Sequence, residues 1–492
     1  AFDKRAHAGR DYEDRDRILA FYAPFALVAL PAVWVALVTA GPGVTNAMTG
    51  IANAHVARAS VLVLSGLYLW WPRKSSTGKN TRRFLRVRRG TKGRARWRDL
   101  HGMSLRGIDL RGAHLHFADL RRADLRGAHD RLRAGTAGGD RVKVRVKAVD
   151  RFERDFRLRL PFRFGVITVT HGTQAILRVR VGLEDGRSSE GVAAEALAAK
   201  WFEKSPQFTD AQNLDQLRQA LDLAIGHYSE QGFQTPFGLY AGAYRRQIER
   251  GGALGLNPLV ASYGPALLDR AILDALGKMT GQSFVRMIAA NVPGIAATDL
   301  TPDIEAEHLK SFLAGLKAAP TIDVRHTVGL VDPLTAADRP AAERVNDGLP
   351  ETLEEVVAYY SGRYYKLKVG GDIRTDLDRL SRIASVLDKG AKDYRCTFDG
   401  NEQYDDVDGI VELWRKVEET PALAKMVKST LFIEQPIKRQ AALSRPVTAL
   451  AKYRPVIIDE SDGELSTFPL ALKLGYAGVS TKNCKGFYKS IL

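Results

Sequence analysis

Five short apolar runs between residues 364 and 486 decide how this sequence folds. They are YYKLKVGGD (364–372), CTFDGN (396–401), LFIEQP (431–436), PVIIDES (455–461) and GVSTKNCKG (478–486). Each run has the composition of a short β-strand, and each is followed by a segment with helical periodicity. Each run also ends in a lysine, carboxylate or amide side chain. The pattern therefore places residues that bind metal ions or move protons at the ends of strands.

The spacing of these strand ends predicts a barrel. The polar residues there are Lys366, Lys368, Asp399, Asn401, Glu434, Asp459, Glu460 and Lys482. The steps from Lys368 through Asp399, Glu434 and Asp459 to Lys482 are 31, 35, 25 and 23 residues, close to the ~30 residues of one βα unit in a (β/α)8 barrel. Parallel strands carry their C-terminal ends to one face, so the three carboxylates are expected to converge. Such a set suits a hard divalent cation such as Mg²⁺.

The motifs, taken in order, resemble those of one enzyme family. They are Lys-x-Lys, Asp-x-Asn, Ile-Glu-Gln-Pro, Asp-Glu-Ser and Lys-x-x-Lys-Gly. This series resembles the enolase superfamily, within it the mandelate racemase and muconate lactonizing enzyme family, and there the muconate-lactonizing-like branch. The resemblance extends upstream to about Arg157 and so covers residues 157–492.

The resemblance implies an α/β fold in two parts. Residues 157–300 would form an α+β capping domain, and residues 301–492 would form strands 1 to 6 of a (β/α)8 TIM-type barrel. The chain ends at Leu492 inside the expected sixth helix, so strands 7 and 8 are expected to be missing and the barrel incomplete.

Local patterns place some of these elements. Strand 1 is predicted at 325–331, its helix at 351–360 and strand 2 at 364–369. In the cap, FRFGVITVT (162–170) and AILRVRVGLEDGR (175–187) alternate like the strands of a hairpin, with a turn at 184–186.

The resemblance also assigns roles at the strand ends. Asp399, Glu434 and Asp459 would be the three Mg²⁺ ligands. Lys368 would be the base on one face of the substrate, and Lys482 would be its counterpart on the other face.

Neighbouring residues would support these groups. Lys366 would lower the pKa of Lys368 and orient the substrate carboxylate. Asn401 would hydrogen-bond a metal ligand. Glu460 competes with Asp459 for the third ligand position, because adjacent residues on a strand point to opposite sides; relatives in this branch use the Asp.

The loop 164–171 of the capping hairpin would close over the barrel mouth and select the substrate. Phe164 and His171 are its candidate substrate-contacting residues, and for each the alternative is simple packing. Lys485, three residues beyond Lys482, is predicted to begin the sixth helix and to point to solvent.

The implied function is Mg²⁺-dependent abstraction of the α-proton of a small-molecule carboxylate through an enediolate. A pair of lysines is compatible with a racemase or epimerase, a cycloisomerase, or a lyase that performs syn β-elimination. The acid-sugar dehydratase branch is disfavoured, because it uses a His-Asp dyad and no His follows His326. The alternative from another class is a truncated or chimeric, inactive chain with a membrane-associated N-terminal region.

The net charge of +17 is confined to the first 150 residues. Residues 1–150 hold 29 Lys and Arg against 12 Asp and Glu, whereas residues 151–492 hold 44 of each. No nucleic-acid partner is expected, since no reader motif accompanies the basic residues. Cys396 and Cys484 fit buried thiols in a reducing cytosol, so a cytoplasmic location is expected for the enzyme-like part. The sequence leaves a homo-oligomer open.

The segments before the cap are a charged N terminus (1–17), an apolar stretch (18–72), a polybasic stretch (73–104), a short repeat (105–129) and a linker (130–156). Residues 18–40 are 23 residues without a charge, enough to cross the ~30 Å hydrocarbon layer as a helix. Residues 73–98 contain 12 basic residues and no acidic one. We therefore expect membrane association through residues 18–98, which would tether the chain to an inner membrane.

Three resemblances follow each other closely in this region. Leucine at 105, 110, 115, 120 and 125 resembles a pentapeptide repeat, in which leucine fills the centre of a square β-helix. The run from GLYLWWPRK to RWRDLH (66–101) resembles the membrane-helix segment of PepSY-type proteins. GPGVTNAMTGIANA (41–54) resembles a loop of thiamine-diphosphate enzymes. We interpret residues 1 to about 140 as a mosaic or misjoined leader.

Overall fold

A computed structural model describes residues 142–165 and 167–492 of the chain. The predictions for the charged N terminus, the apolar and polybasic stretches, the repeat and the first part of the linker concern residues outside this range. All described residues belong to one compact unit.

The described part opens with a three-stranded antiparallel sheet, in the order β1, β2, β3. Its strands are β1 (Val144–Phe164), β2 (Ile167–Leu183) and β3 (Ser188–Ala196). The predicted turn at 184–186 is confirmed, but it joins β2 to β3. The first hairpin turns at Gly165, whose φ of 53° suits glycine, so FRFGVITVT is split between two strands.

The predicted linker 130–156 is wrong over its second half. β1 begins at Val144, and its pairing with β2 runs from Val144 opposite Leu183 to Phe164 opposite Ile167. Many charged side chains in the middle of β1 are exposed, so its composition resembles a linker. Its backbone nevertheless pairs with β2, with irregularities between Val146 and Ala148 and between Arg157 and Phe162. The antiparallel sheet therefore begins inside the predicted linker, at Val144. We call residues 142–315, which contain this sheet and the helices that follow it, the cap.

Seven helices follow the sheet. They are α1 (Ala199–Phe202), α2 (Asp210–Ser229), α3 (Pro236–Ala253), α4 (Pro258–Ala261), α5 (Tyr263–Thr280), α6 (Phe284–Ala289) and α7 (Ala306–Gly315). α2 begins at a capping box between Thr209 and Gln212, which satisfies backbone donors that the first turn leaves free. α5 is buried on nearly every face because it packs against β3 and α2.

The second sheet has six parallel strands in sequential order. They are β4 (Arg325–Val328), β5 (Tyr364–Lys368), β6 (Arg395–Asp399), β7 (Thr430–Glu434), β8 (Val456–Ile458) and β9 (Gly478–Val479). Sequential parallel order with helices between the strands is the winding of a (β/α)8 barrel. The predicted strands 1 and 2 are confirmed as β4 and β5, although β4 ends three residues earlier than predicted.

Helices of this part follow the strands they connect. They are α8 (Leu353–Tyr360), α9 (Ile373–Gly390), α10 (Val407–Glu419), α11 (Ala424–Ser429), α12 (Arg439–Ala442), α13 (Thr448–Ala451), α14 (Thr467–Lys473) and α15 (Phe487–Ile491). Short 3-10 turns lie at 336–338, 341–343, 421–423 and 483–485. Among the residues that the structure describes, no helix is both long enough and apolar enough to span a membrane.

The cap and the parallel sheet have separate cores that meet through specific contacts. Tyr488 of α15 is fully buried in the core of the cap. Ser262 Oγ donates to the carbonyl of Gly463 at 3.0 Å, and the amide of Leu465 donates to Tyr244 Oη at 2.8 Å. The last helix and the loop after β8 thus fasten the sheet to the cap.

Both cysteines are free thiols, Cys396 buried and Cys484 partly buried. Burial raises the pKa of each thiol to about 12. Neither is therefore a thiolate near neutral pH, which agrees with the predicted role in packing.

Asp332 provides a test of stability against pH. Burial raises the pKa of this carboxyl from 3.8 to about 6, although it accepts a hydrogen bond from the Gly329 amide at 2.7 Å. Between these two values the folded state binds more protons than the unfolded chain, so the free energy of unfolding falls as pH rises and stays lower above pH 6. The decrease in the free energy of unfolding amounts to about 3 kcal/mol, and Asp332→Asn is expected to abolish it.

Urea unfolding of wild type and Asp332→Asn across this pH window measures the effect. The stability difference should grow in favour of the variant as pH rises. Parallel stability curves for the two proteins would contradict the assignment.

Candidate active site

The register of the parallel sheet places the proposed ligands side by side. Lys368 lies opposite Asp399 across β5 and β6, and Asp399 lies opposite Glu434 across β6 and β7. Glu434 lies opposite Ile457 of β8, and Asp459 follows two residues later. All three carboxylates are at most 1% exposed. The predicted convergence of strand ends is therefore present in the fold.

Lysine ammonium groups connect these carboxylates. Lys366 Nζ lies 2.7 Å from Asp399 Oδ2 and donates to Glu434 Oε1 at 2.9 Å. Lys482 Nζ donates to Asp459 Oδ2 and lies 3.8 Å from Glu434 Oε1. The same Glu434 oxygen thus faces both lysines, so the two lysines link the three carboxylates into one buried row.

Lys368 lies at the outer end of this row. Its Nζ donates to Asp399 Oδ2 at 2.5 Å and also to Asn401 Oδ1. Lys482 lies at the other end, beyond β8. The strand order therefore puts Lys368 and Lys482 at opposite ends of the three carboxylates, whereas a role on opposite faces of a substrate stays a prediction.

Burial and the neighbouring carboxylates shift the pKa values of Lys368 and Lys482 in opposite directions. Burial lowers the pKa of Lys368 to about 8, Asp399 opposes this shift, and Lys366 adds to it. Lys366 therefore acts in the predicted direction, but burial is the larger cause. Burial also disfavours the charged form of Lys482, yet the charges of Asp459 and Glu434 outweigh it and raise its pKa.

Neighbouring lysines lower the pKa of two of these carboxyl groups, those of Asp399 and Asp459. Burial would raise the pKa of Asp399, but Lys366 and Lys368 hold it below its usual range. Likewise, Lys482 and Lys485 hold the pKa of Asp459 well below its ordinary value against the effect of burial.

Asp459 and Glu460 follow the end of β8 and have different partners: Asp459 contacts Lys482, whereas Glu460 contacts Asn401 and Lys204. Its Oε1 accepts a hydrogen bond from Asn401 Nδ2 at 2.8 Å and lies 3.1 Å from Lys204 Nζ. Burial raises the pKa of Glu460. Asn401 contacts the proposed ligand Asp399 through its backbone amide, at 2.9 Å, rather than through its side chain.

The prediction that Lys485 points to solvent is wrong. Its side chain is fully buried, and its Nζ lies 2.9 Å from Asp459 Oδ1. It also donates to the carbonyls of Asp459 and Ser480, both at 2.7 Å. The chain forms a 3-10 turn at 483–485, which directs Lys485 inward. Lys485 therefore holds the side chain and the backbone of Asp459.

The backbone at the strand ends is strained in a way that the surrounding contacts maintain. Asn401, Glu402 and Gln435 have φ values of 42°, 68° and 34°, in the left-handed region. Gly400 lies so close to Pro436 that a Cβ there would be 2.6 Å from its Cα. Non-glycine residues with positive φ are often found at functional sites.

Gln435 links the β7 end to the loop after β8. Its Oε1 accepts a hydrogen bond from the amide of Asp459 at 2.7 Å, and its Nε2 donates to Ser461 Oγ at 2.8 Å. The unusual backbone of Gln435 thus fixes the position of Asp459.

The two candidate substrate residues of the cap are placed differently. Phe164 lies beside the hairpin turn and is buried in the core of the cap. The turn itself reaches the carboxyl edge of the second sheet, where Gly165 lies against Gln403. His171 is exposed opposite Arg157, and its Nδ1 lies 3.0 Å from Thr170 Oγ1, so the structure does not bring it to the strand ends. A substrate contact remains a prediction for Phe164 alone.

Several site residues were missed by the sequence analysis. Arg325 on β4 lies with Nη2 3.3 Å from Glu434 Oε2. The indole of Trp201 lies 5.0 Å from Lys482 Nζ, within the range of a cation–π contact. An arginine within a short apolar strand was a usable signal for Arg325. The position of Trp201 depends on how the cap docks, which no local pattern encodes.

The donor set fits a divalent cation by its chemistry. Asp399, Glu434 and Asp459 offer carboxylate oxygens, which hard cations prefer. Lys366 Nζ lies between two of them, 2.7 Å from Asp399 Oδ2 and 2.9 Å from Glu434 Oε1. Within residues 142–165 and 167–492, no group of three or more His, Cys, Asp and Glu side chains is close enough to form a metal site. Binding would therefore require the lysines to withdraw from the centre, which their long flexible side chains permit.

Three family models match the chain, all before residue 130. The thiamine pyrophosphate enzyme N-terminal TPP binding domain matches residues 29–78. The PepSY-associated TM region matches residues 56–105, and eight copies of the pentapeptide repeat match residues 97–129. These matches agree with the three resemblances in the N-terminal part. The interpretation of that part as a misjoined leader stays a prediction.

Several solved structures are similar to this chain at low identity. A member of the enolase superfamily from Roseovarius nubinhibens ISM is 18% identical, with 71% of this chain and 74% of that chain covered and a TM-score of 0.41. An isomerase from Streptomyces coelicolor A3(2) is 19% identical, with 70% and 74% covered and a TM-score of 0.43.

A third structure is a dipeptide epimerase from Methylococcus capsulatus, solved with Mg and the dipeptide L-Arg-D-Lys. It is 19% identical, with 68% of this chain and 82% of that chain covered and a TM-score of 0.39. At these TM-scores the similarity does not establish a shared fold. A search of curated proteins finds no match.

Proposed function

We propose that this protein abstracts the α-proton of a small-molecule carboxylate in a Mg²⁺-dependent reaction. One observation carries the proposal: a buried row of three carboxylates has a lysine amine at each end. Asp399, Glu434 and Asp459 form the row, and Lys368 and Lys482 lie beyond its ends.

The buried charges explain how an amine could become a base. Three carboxylates in the row already face five cationic side chains, those of Lys366, Lys368, Lys482, Lys485 and Arg325. A divalent cation and a substrate carboxylate would together add one net positive charge. In a buried site this excess disfavours one ammonium group, so one lysine loses its proton and can accept the α-proton.

The two end lysines would act on opposite faces of the substrate. An amine on one side takes the proton from the α-carbon, and an ammonium group on the other side can return one. Proton return to the opposite face gives racemisation or epimerisation, whereas expulsion of a β-group gives elimination or cycloisomerisation. Proton abstraction is the first step in each case.

Asp399, Glu434 and Asp459 would hold the metal ion. When bound, Mg²⁺ supplies positive charge next to the substrate carboxylate, where negative charge develops as the proton leaves. Lys366 lies between Asp399 and Glu434 and would meet a substrate carboxylate that approaches this centre. Arg325 and Lys485 keep Glu434 and Asp459 in place.

The test is exchange of solvent deuterium into the α-position of carboxylates. A panel of α-chiral hydroxy acids, amino-acid derivatives and dipeptides is incubated with the full chain in D2O, with Mg²⁺ and with EDTA, and followed by NMR. We expect exchange with at least one class, dependent on Mg²⁺. Exchange that survives in a Lys368→Ala, Lys482→Ala double variant would remove the assignment of these lysines as the bases. If wild type exchanges none of the panel, the inactive-chain alternative gains support.

A further inference from the structure

One lysine of the cap reaches the strand ends of the second sheet. Lys204 follows α1, and its Nζ lies 2.6 Å from Glu402 Oε2 and 3.1 Å from Glu460 Oε1. It also donates to the carbonyl of Asn401 at 2.9 Å. All three acceptors belong to the parallel-sheet part, and the lysine side chain is only 23% exposed. A nearly buried ammonium group with three oxygen partners is a defined contact rather than a surface ion pair.

A chain of hydrogen bonds leads from Lys204 to Lys368. Glu460 Oε1 faces Lys204 and also accepts the amide hydrogen of Asn401 Nδ2 at 2.8 Å. The other end of that amide, Asn401 Oδ1, accepts from Lys368 Nζ. Two side chains, Glu460 and Asn401, therefore connect the cap lysine to the proposed base.

The contact is reinforced from the opposite direction. Arg439 donates to both oxygens of Glu402, each at 2.8 Å. It also donates to the carbonyls of Phe202 at 2.7 Å and Trp201 at 3.0 Å. An arginine of the sheet part thus holds the end of α1, while a lysine just after α1 holds the sheet part.

The turn that receives Lys204 is the strained one. Asn401 and Glu402 both have positive φ, a conformation that persists only when the surroundings determine it. Lys204 contacts the backbone of Asn401 and the side chain of Glu402. Loss of its charge would also leave Glu460 buried with one cationic partner fewer, which is unfavourable.

We propose that Lys204 is a positioning residue that fixes Asn401 and Glu460, and through them places Lys368, when the cap is docked. The inference rests on the proposed function for its effect on turnover. Its effect on the Asn401 turn is independent of any reaction. Two kinds of measurement therefore separate the two ideas.

The first measurement is hydrogen exchange of the full chain without ligand. Lys204→Met is compared with wild type, with Lys204→Arg, and with Lys200→Met as the matched control. Lys200 lies on α1, but its Nζ contacts Phe208 and Asp210 within the cap. We expect faster amide exchange at 400–403 in Lys204→Met, with protection of the β1–β3 sheet unchanged. Lys204→Arg should restore protection, and Lys200→Met should leave the turn as in wild type.

The second measurement is turnover of the carboxylate that wild type exchanges fastest. We expect kcat of Lys204→Met to fall about 10- to 100-fold, as for other residues that orient a catalytic group, with KM changed less than about threefold. If Lys204 acts through Asn401, the kcat of the Lys204→Met, Asn401→Ala double variant should be little lower than the kcat of Asn401→Ala alone.

The inference would be overturned if amides 400–403 of Lys204→Met exchanged at the wild-type rate. It would also be overturned if the reductions in kcat of the two single variants were fully additive in the double variant. If wild type turns over no carboxylate, the proposed function fails, and the hydrogen-exchange result alone decides the role of Lys204. If Lys204→Met loosens the β1–β3 sheet as well, Lys204→Gln, which keeps a neutral donor, replaces it. Normal protection at 400–403 in that variant would then overturn the inference.

Discussion

Replacement of Lys368 by alanine is expected to abolish deuterium exchange from one enantiomer of an α-chiral carboxylate while leaving exchange from the other. The reason is geometric, because Lys368 and Lys482 lie at opposite ends of the carboxylate row and each faces one side of the substrate. Loss of a general base costs on the order of 10²- to 10⁴-fold in rate. Lys482→Ala is expected to show the opposite preference.

NMR exchange rates for separate enantiomers of the best substrate measure this split. The fold should tolerate Lys368→Ala, because Asp399 keeps Lys366 as a partner at 2.7 Å. Lys438→Ala serves as control, since Lys438 is half exposed and pairs with Asp405 outside the row. Equal losses for both enantiomers in each single variant would contradict a face-specific role for the lysines.

Glu434→Gln is expected to have the second large effect. Glu434 is fully buried and faces Lys366 at 2.9 Å, Arg325 at 3.3 Å and Lys482 at 3.8 Å. Removing its charge leaves three cations around a neutral amide. Breaking a buried ion pair from one side costs about 3–5 kcal/mol of stability. Removing a carboxylate ligand should also weaken Mg²⁺ binding by at least about tenfold.

Calorimetric titration with Mg²⁺ and urea unfolding at pH 7 check both parts of this expectation. Glu412→Gln is a suitable control, because Glu412 is exposed on α10. Unchanged Mg²⁺ affinity in a folded Glu434→Gln protein would show that Glu434 is not a ligand. An unchanged free energy of unfolding would show that the ion pairs of Glu434 with Arg325, Lys366 and Lys482 do not stabilise the fold.

The placement of the cap illustrates what a sequence pattern misses. Residues 144–156 are predicted as part of a linker, but they form the first part of β1, whose middle carries many charged side chains. An isolated strand with that composition has little tendency to form, and only pairing with β2 specifies it. Pairing between β1 and β2 likewise places the first hairpin turn at Gly165.

Lys485 shows the same limit at the scale of one side chain. Its spacing from Lys482 fits a helix start, and a lysine there ordinarily faces water. In the fold it reaches the carbonyls of Asp459 and Ser480. A buried lysine is stable only where several oxygens surround it, and those oxygens come from residues brought together by the sheet.

The amino-acid sequence by itself determined the parallel sheet, the order of its strands and the row of Asp399, Glu434 and Asp459 with lysines at both ends. These features follow from the two-residue period of strands and the regular length of βα units, which are properties measured along the chain. Only the tertiary structure decided that Lys204 and Trp201 reach this row. Each lies more than 190 residues before its partners, so their contacts exist only because the cap docks on the sheet.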